Sequence, residues 1–187
     1  MPISDIEQQL REAGKNITVK ATDDIPFSDY HEFLDLEKAG RIRIASAYDG
    51  DLVNEFGGKA EIVMHYLLVW SPVLFAIASF AFAFILSNYW LLAGVPLAIL
   101  GFLLSTPAFM KGIGSLIALG TLIYFVYSCY TGKYANAVIA GSYALSNFFV
   151  YVAREQSRMI IHKTIIQSEP IFVWLYTNGR ILITREK

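Results

Sequence analysis

The feature that most constrains this chain is a long segment almost without charge. Between Glu61 and Arg154 the only formally charged side chains are Lys111 and Lys133. A helix on the surface of a soluble protein keeps a polar face toward water, and this segment has no such face. Its apolar runs reach the roughly 20 residues that cross the hydrocarbon core of a bilayer. The sequence therefore predicts an integral membrane protein.

Short turn-forming stretches divide the segment into four predicted spans, at about residues 63–87, 89–106, 112–130 and 135–153. Pro107 favours an end for the second span, because proline lacks the N–H that a helix interior uses. Loops this short make consecutive helices antiparallel. The predicted fold class is membrane all-α, a four-transmembrane-helix antiparallel bundle with a small α/β cytoplasmic module built from both termini. The corresponding domains are residues 1–60, 61–153 and 154–187.

The orientation follows from lysine and arginine, which are enriched on the cytoplasmic side of membrane proteins. One side of the predicted bundle has only Lys133, whereas the other has Lys59, Lys111, Arg154, Arg158 and Lys163. We therefore expect a multi-pass protein of a cell membrane, of the bacterial inner-membrane type, with both termini cytoplasmic. Arg154, Arg158 and Lys163 are expected to contact anionic lipid headgroups.

Small residues recur at four-residue spacing in three of the spans, as Ser79 with Ala83, Gly114 with Ala118, and Ala137 with Gly141. This spacing lets helix backbones approach closely in lipid. It predicts packing contacts, either within the bundle or between subunits.

The fourth span also has a cluster of polar side chains, Ser142, Tyr143, Ser146 and Asn147. Such a cluster is typical of hydrogen bonds between helices, or of a pore-lining stripe in an oligomer. A proton-coupled transporter needs ionisable groups inside its spans. Apart from His65 at a boundary, the spans have no acidic, basic or histidine residue, so proton-coupled transport is not expected.

The N-terminal 60 residues predict a small α/β segment. Helices are expected at 3–13 and 28–39, the second capped by Ser28 and closed by Gly40, and strands at 16–21 and 41–45. Residues 49–58 are expected to form a flexible linker.

The C-terminal residues 171–185 predict a β-hairpin, because Asn178-Gly179 is the strongest short hairpin signal. One face of this hairpin would carry Phe172, Trp174, Tyr176, Ile181 and Ile183. The opposite face is also apolar. A hairpin that is apolar on both faces needs a covering surface, so we expect it to complete a sheet with the N-terminal strands or to bind a partner.

The sequence has few residue patterns that indicate catalysis or the binding of a metal, cofactor or nucleic acid. The net charge of -1 provides no basic surface for nucleic acid. His31 and Asp35 have the spacing of a helical ligand pair, but a pair needs further ligands, and no metal site or cofactor is predicted. No nucleophile has a recognisable base partner, so we do not expect an enzyme.

Three functions follow from these patterns. The leading hypothesis is a noncatalytic polytopic membrane protein that acts as an oligomeric or accessory subunit or scaffold through its cytoplasmic module. Its partners would be membrane lipid and another protein or its own copies. The second is a homo-oligomeric pore-forming or membrane-disrupting effector gated by a cytoplasmic ligand. The third, a transporter of an uncharged solute or lipid, requires a cavity at the level of Pro96 or Asn147.

Overall fold

The structure is a computed structural model that describes residue 8 and residues 27–46, 50–106 and 113–185. It is mostly helical, with a small two-stranded antiparallel sheet. In chain order the described elements are α1 (Tyr30–Lys38), β1 (Ile42–Ser46), α2 (Gly50–Phe56), α3 (Lys59–Ile85), a 3₁₀ helix (Tyr89–Ala93), α4 (Gly94–Leu104), α5 (Ile113–Tyr130), α6 (Tyr134–Gln167), α7 (Glu169–Thr177) and β2 (Ile181–Arg185). The predicted helix at 3–13, strand at 16–21 and loop at 107–111 lie outside the described residues.

The chain divides into two compact units. The sheet unit comprises the described residues up to Ile62 together with those from Gln156 onward, and the helix unit comprises Val63–Glu155. Each of the long helices α3 and α6 contributes residues to both units.

Helix α1 has the start and stop that its sequence predicts, within a residue or two. The carboxylate of Asp29, one residue after Ser28, accepts a hydrogen bond of 2.8 Å from the backbone N–H of Glu32. This N-cap satisfies a backbone donor that has no partner within the helix. Gly40 ends the helix with a φ of 66°, in the left-handed region that glycine adopts without strain.

The sheet pairs β1 with β2 in antiparallel register, with Ile44 opposite Ile183. Strand β1 occupies the predicted position, shifted by one residue. Ile181 and Ile183 are buried, whereas Leu182 between them is 62% exposed. Strand β2 therefore completes a sheet as expected, but only one of its faces is covered.

The first strand of the predicted hairpin is wrong, because Phe172, Trp174 and Tyr176 lie in helix α7. Ser168 is the N-cap of this helix, and Glu169 and Pro170 occupy its first turn. Proline has a suitable φ for the first turn and loses no helical hydrogen bond there, and an acidic residue near the N-terminus favours the helix dipole. These start signals account for a helix where the apolar run indicated a strand.

Asn178 and Gly179 end helix α7 and do not form a hairpin turn. Gly179 has a φ of 65°, and its N–H donates to the carbonyl of Tyr176, while the N–H of Arg180 donates to the carbonyl of Leu175. This pair of bonds is the Schellman motif. A type I′ hairpin turn needs positive φ at both central residues, and the φ of Asn178 is -90°.

The linker prediction for residues 49–58 is also wrong, because Gly50–Phe56 forms helix α2. Leu52, Val53 and Phe56 are buried, at the spacing that places apolar side chains on one helical face. Burial of that face orders a segment whose glycines and acids indicated a flexible chain.

In the helix unit, α3 and α6 are long and apolar enough to cross a membrane. Shorter apolar helical segments lie at Tyr89–Leu104 and Gly114–Tyr130, where the second and third spans are predicted. Large apolar side chains are exposed along α3, among them Leu67, Trp70, Leu74 and Ile77. Soluble monomers rarely expose contiguous apolar surface on this scale.

Candidate functional site

The helix unit is built around close contacts of α6 with α3 and α4. The hydroxyl oxygens of Ser79 on α3 and Ser142 on α6 are 2.8 Å apart, and both side chains are buried. A Cβ at Gly94 would lie 2.8 Å from the Ser142 hydroxyl and would also overlap the Ser79 side chain. The small size of these three residues therefore permits the three helices to meet.

A second contact joins α4 to α6 about two helical turns along the chain. The side-chain amide of Asn147 donates to the backbone carbonyl of Gly101 over 3.2 Å. A Cβ at Gly101 would lie 2.6 Å from the backbone carbonyl oxygen of Tyr143. The two helix backbones thus approach more closely here than any residue with a Cβ allows.

These contacts fix the directions of three helices. Gly94 faces Ser142 and Gly101 faces Asn147, so α4 runs parallel to α6. Ser79 also faces Ser142. The rings of Phe75, one turn before Ser79, and Phe149, about two turns after Ser142, have centroids 6.0 Å apart. Helix α3 is therefore antiparallel to both. The turns at 86–88 and 131–133 consequently lie at the same end of the unit, which we call the turn end.

The predicted polar residues of the fourth span are buried where α6 packs against its neighbouring helices. Ser142, Tyr143, Ser146 and Asn147 are all at most 5% exposed. Among the described residues, the hydroxyls of Tyr143 and Ser146 and the amide oxygen of Asn147 have no hydrogen-bond partner. Within one chain these side chains face neighbouring helices.

An open cavity, a groove in the surface of the helix unit with a volume of about 490 Å³, lies between α4, α5 and α6. Seven of its lining residues are Leu97 and Leu104 from α4, Ile117 and Tyr124 from α5, and Ile139, Ala140 and Tyr143 from α6. The remaining two are Thr121 and Asn136. The volume falls within the range of small-molecule sites, and a mostly apolar lining with a few polar groups is typical of them.

Polar groups with exposed surface are concentrated at one edge of this cavity, which we call the rim. There the side-chain amide of Asn136 donates to the hydroxyl oxygen of Tyr124 over 3.0 Å, and both side chains are exposed. The hydroxyl of Thr121 donates a hydrogen bond to the backbone carbonyl of Ile117 within α5. In the described part of the lining there is no charged side chain.

The predicted small-residue positions differ in their surroundings. Gly141 contacts helix α5, since a Cβ there would lie 2.9 Å from the ring of Phe125. Gly114 and Ala137 are buried and Ala118 is partly buried. Gly141 thus takes part in packing within the chain.

The predicted headgroup-contacting residues lie on the C-terminal half of α6. Arg154 and Arg158 are partly buried and make other interactions in the structure, whereas Lys163 is exposed.

The aromatic residues of the predicted hairpin belong to the core of the sheet unit. Phe172 is 1% exposed, and its ring centroid is 4.5 Å from that of Phe33. The ring of Trp174 meets Phe56 edge-on at 6.5 Å. Phe172 is therefore not available to a partner, and Trp174 is only partly so.

Sequence reasoning missed the cavity. Asn136 and Tyr124 are polar residues in otherwise apolar helices, and in the sequence they are the signal of a polar site. Their contact cannot be read from the sequence, because it depends on how α5 packs against α6. The described residues include no group of three or more metal-ligating side chains. No family model matches this chain, and neither does any curated protein or solved structure.

Proposed function

We propose that this chain is a noncatalytic membrane protein that binds an uncharged, largely apolar molecule in the cavity between α4, α5 and α6. The observation that carries this proposal is the cavity itself, an apolar space of about 490 Å³ beside Leu97 and Tyr143. Leu97 follows Pro96 in the chain, and Tyr143 lies about one helical turn before Asn147. A cavity at this level is what the transporter or lipid-handling hypothesis requires.

The proposal includes four spans with both termini on the cytoplasmic side. Exposed apolar side chains on all four apolar segments support it, such as Leu74, Trp90, Ile99, Ile123 and Phe148. Aromatic residues are also exposed at the turn end, where Tyr130 is 90% and Tyr134 is 70% exposed. Tyrosine and tryptophan favour the interface between lipid and water.

The accessibility of introduced cysteines to a membrane-impermeant thiol reagent tests this topology. In a Cys129→Ser background, Gly132→Cys should react from outside the cell, and Leu182→Cys should react only after the membrane is permeabilised.

An uncharged ligand follows from electrostatics. A charged group moved into an apolar site costs several kcal/mol unless an opposite charge meets it, and the described lining supplies none. Apolar contact, in contrast, contributes about 25 cal/mol per Å² of buried surface. The lining thus selects hydrophobic molecules over ions.

Mass spectrometry of the protein released from nanodiscs tests the binding. We expect a retained uncharged molecule in the wild-type protein and its loss in Ala140→Phe, which fills the cavity from the α6 side. Ala81→Phe is the matched control, because Ala81 is exposed on α3 and does not line the cavity. If Ala140→Phe and Ala81→Phe both had the melting temperature of the wild type and retained equal amounts of the ligand, the proposal would be contradicted.

An accessory or oligomeric subunit is the second candidate, and helix α5 favours it. Most of this helix is exposed, including Leu116, Leu119 and Ile123. An apolar helix this weakly covered packs against lipid or against another membrane protein. A monomer in nanodiscs without a co-purifying protein would remove this candidate.

A further inference from the structure

We propose that the cavity holds a hydrocarbon chain of a bilayer lipid whose uncharged, hydroxyl-bearing headgroup binds at the rim formed by Asn136 and Tyr124. Acylglycerols are one lipid class with this chemistry, and an acylglycerol is the ligand that we propose. The inference rests on the proposed function and names the ligand of the same site.

The rim has the hydrogen-bonding groups that such a headgroup needs. The Asn136 amide donates to the Tyr124 hydroxyl, which leaves the Tyr124 O–H as a donor and the Asn136 carbonyl oxygen as an acceptor. Both side chains are exposed. A glycerol hydroxyl can both donate and accept, so it can bond to each of them without a charge on either side.

The depth of the rim matches the headgroup region. Asn136 lies two residues after the start of α6 at Tyr134, or about 3 Å along the helix axis. Tyr130 and Tyr134 are exposed at the same end, and the ammonium of Lys133 lies 5.9 Å from the centre of the Tyr127 ring. These side chains are typical of the lipid–water interface.

The rest of the cavity runs from the rim toward the bilayer interior. Its lining on α6 extends from Asn136 to Tyr143, about 10 Å at the helical rise. Beyond the rim the lining is apolar except at Thr121, whose hydroxyl is bonded within α5, and at Tyr143, whose hydroxyl is buried. A chain anchored at the rim would lie in the cavity in the direction of its neighbours in the bilayer.

The mouth of the cavity opens onto apolar surface. Ile117 and Tyr124 line it and are each 46% exposed, and Leu116 and Ile123 beside them are exposed as well. In a membrane this surface is in contact with acyl chains. A bilayer lipid can therefore enter sideways from the surrounding acyl chains.

Photolabelling in phosphatidylcholine nanodiscs tests the inference with two probes of equal chain length. One is a diazirine-bearing monoacylglycerol and the other the same alkyl diazirine without glycerol, and peptide mapping gives the labelled residues. We expect both to label cavity residues in the wild-type protein, with the monoacylglycerol favoured about fivefold, as one or two hydrogen bonds would give. The double variant Asn136→Leu/Tyr124→Phe should abolish this preference and leave labelling by the hydrocarbon probe.

The outcomes separate the inference from the proposed function. Equal labelling by both probes in the wild type, or a preference that survives in the double variant, overturns the rim as a headgroup site while cavity binding stands. Absence of cavity labelling by either probe overturns both. A folding defect is recognised by the melting temperature, and in that case the single variant Tyr124→Phe, which keeps the ring, takes the place of the double variant.

Discussion

The substitution Gly101→Ala should destabilise the helix unit although it adds a single methyl group. The new Cβ would lie 2.6 Å from the backbone carbonyl oxygen of Tyr143 and 3.0 Å from the Cβ of Ser146. Neither atom can rotate away, so α4 and α6 must separate. Overpacking of this kind costs about 1–3 kcal/mol, and loss of the Asn147 bond to the Gly101 carbonyl adds about 0.5–1.5 kcal/mol.

Part of this loss is offset, because alanine is favoured over glycine in a helix by about 0.5–1 kcal/mol. The net expectation is a loss of about 1–3 kcal/mol in the free energy of unfolding. Gly120→Ala is the matched control: Gly120 is exposed on α5, and a Cβ there would meet no described atom within 4 Å. It should gain up to about 1 kcal/mol from helix propensity alone.

Unfolding by titration with sodium dodecyl sulfate, starting from dodecylmaltoside micelles and followed by circular dichroism, measures both values. The difference between the two variants isolates the helix–helix contact, since the chemical change is the same. If Gly101→Ala were as stable as Gly120→Ala, the close approach of α4 to α6 would be refuted, together with the helix directions inferred from it.

Three further experiments test other parts of the fold. Phe33→Ala should cost about 3–5 kcal/mol, because Phe33 is fully buried against Phe172 in the sheet unit; a thermal melt unchanged from wild type would contradict this packing. Ser87→Gly should stabilise by about 1 kcal/mol, because Ser87 has a φ of 50°, where glycine has no steric penalty; a lower melting temperature would exclude the left-handed conformation there. Ser79→Ala and Ser142→Ala, whose hydroxyls are 2.8 Å apart, should show a coupling of about 0.5–1 kcal/mol in a double-mutant cycle, and strictly additive losses would show that the hydroxyls do not interact.

Predictions from the sequence succeeded where local signals determine the structure. The strand at 41–45 and the end of α1 at Gly40 depend on alternation and on one glycine in the left-handed region. Such signals act over a few residues and need no knowledge of neighbours in space. The apolar segments of the helix unit are equally local, since their length and composition alone identify α3 and α6 as long enough to span a bilayer.

The hairpin prediction failed where two local signals competed. Asn178-Gly179 serves a type I′ turn and a Schellman motif almost equally well, because both need a glycine with positive φ. The decisive signals lie eight to ten residues earlier, at Ser168 and Pro170, which start a helix. The lining of the cavity could not be predicted in this way, because Leu97, Ile117 and Asn136 come together only through the packing of three separate helices.

The corrected structure of α7 also changes where this protein can interact. As a strand, residues 171–177 would have left apolar side chains in need of a partner; as a helix, they bury Ile171, Phe172 and Leu175 in the core of their own unit. The apolar surface that remains uncovered in the described chain is mainly that of the helix unit, where it surrounds a cavity with an uncharged polar rim. Lipid would satisfy both the surface and the cavity with one chemistry, since acyl chains would cover the first and one of them would fill the second. A protein partner would have to match the two separately, and for this reason we place lipid binding ahead of a scaffolding role.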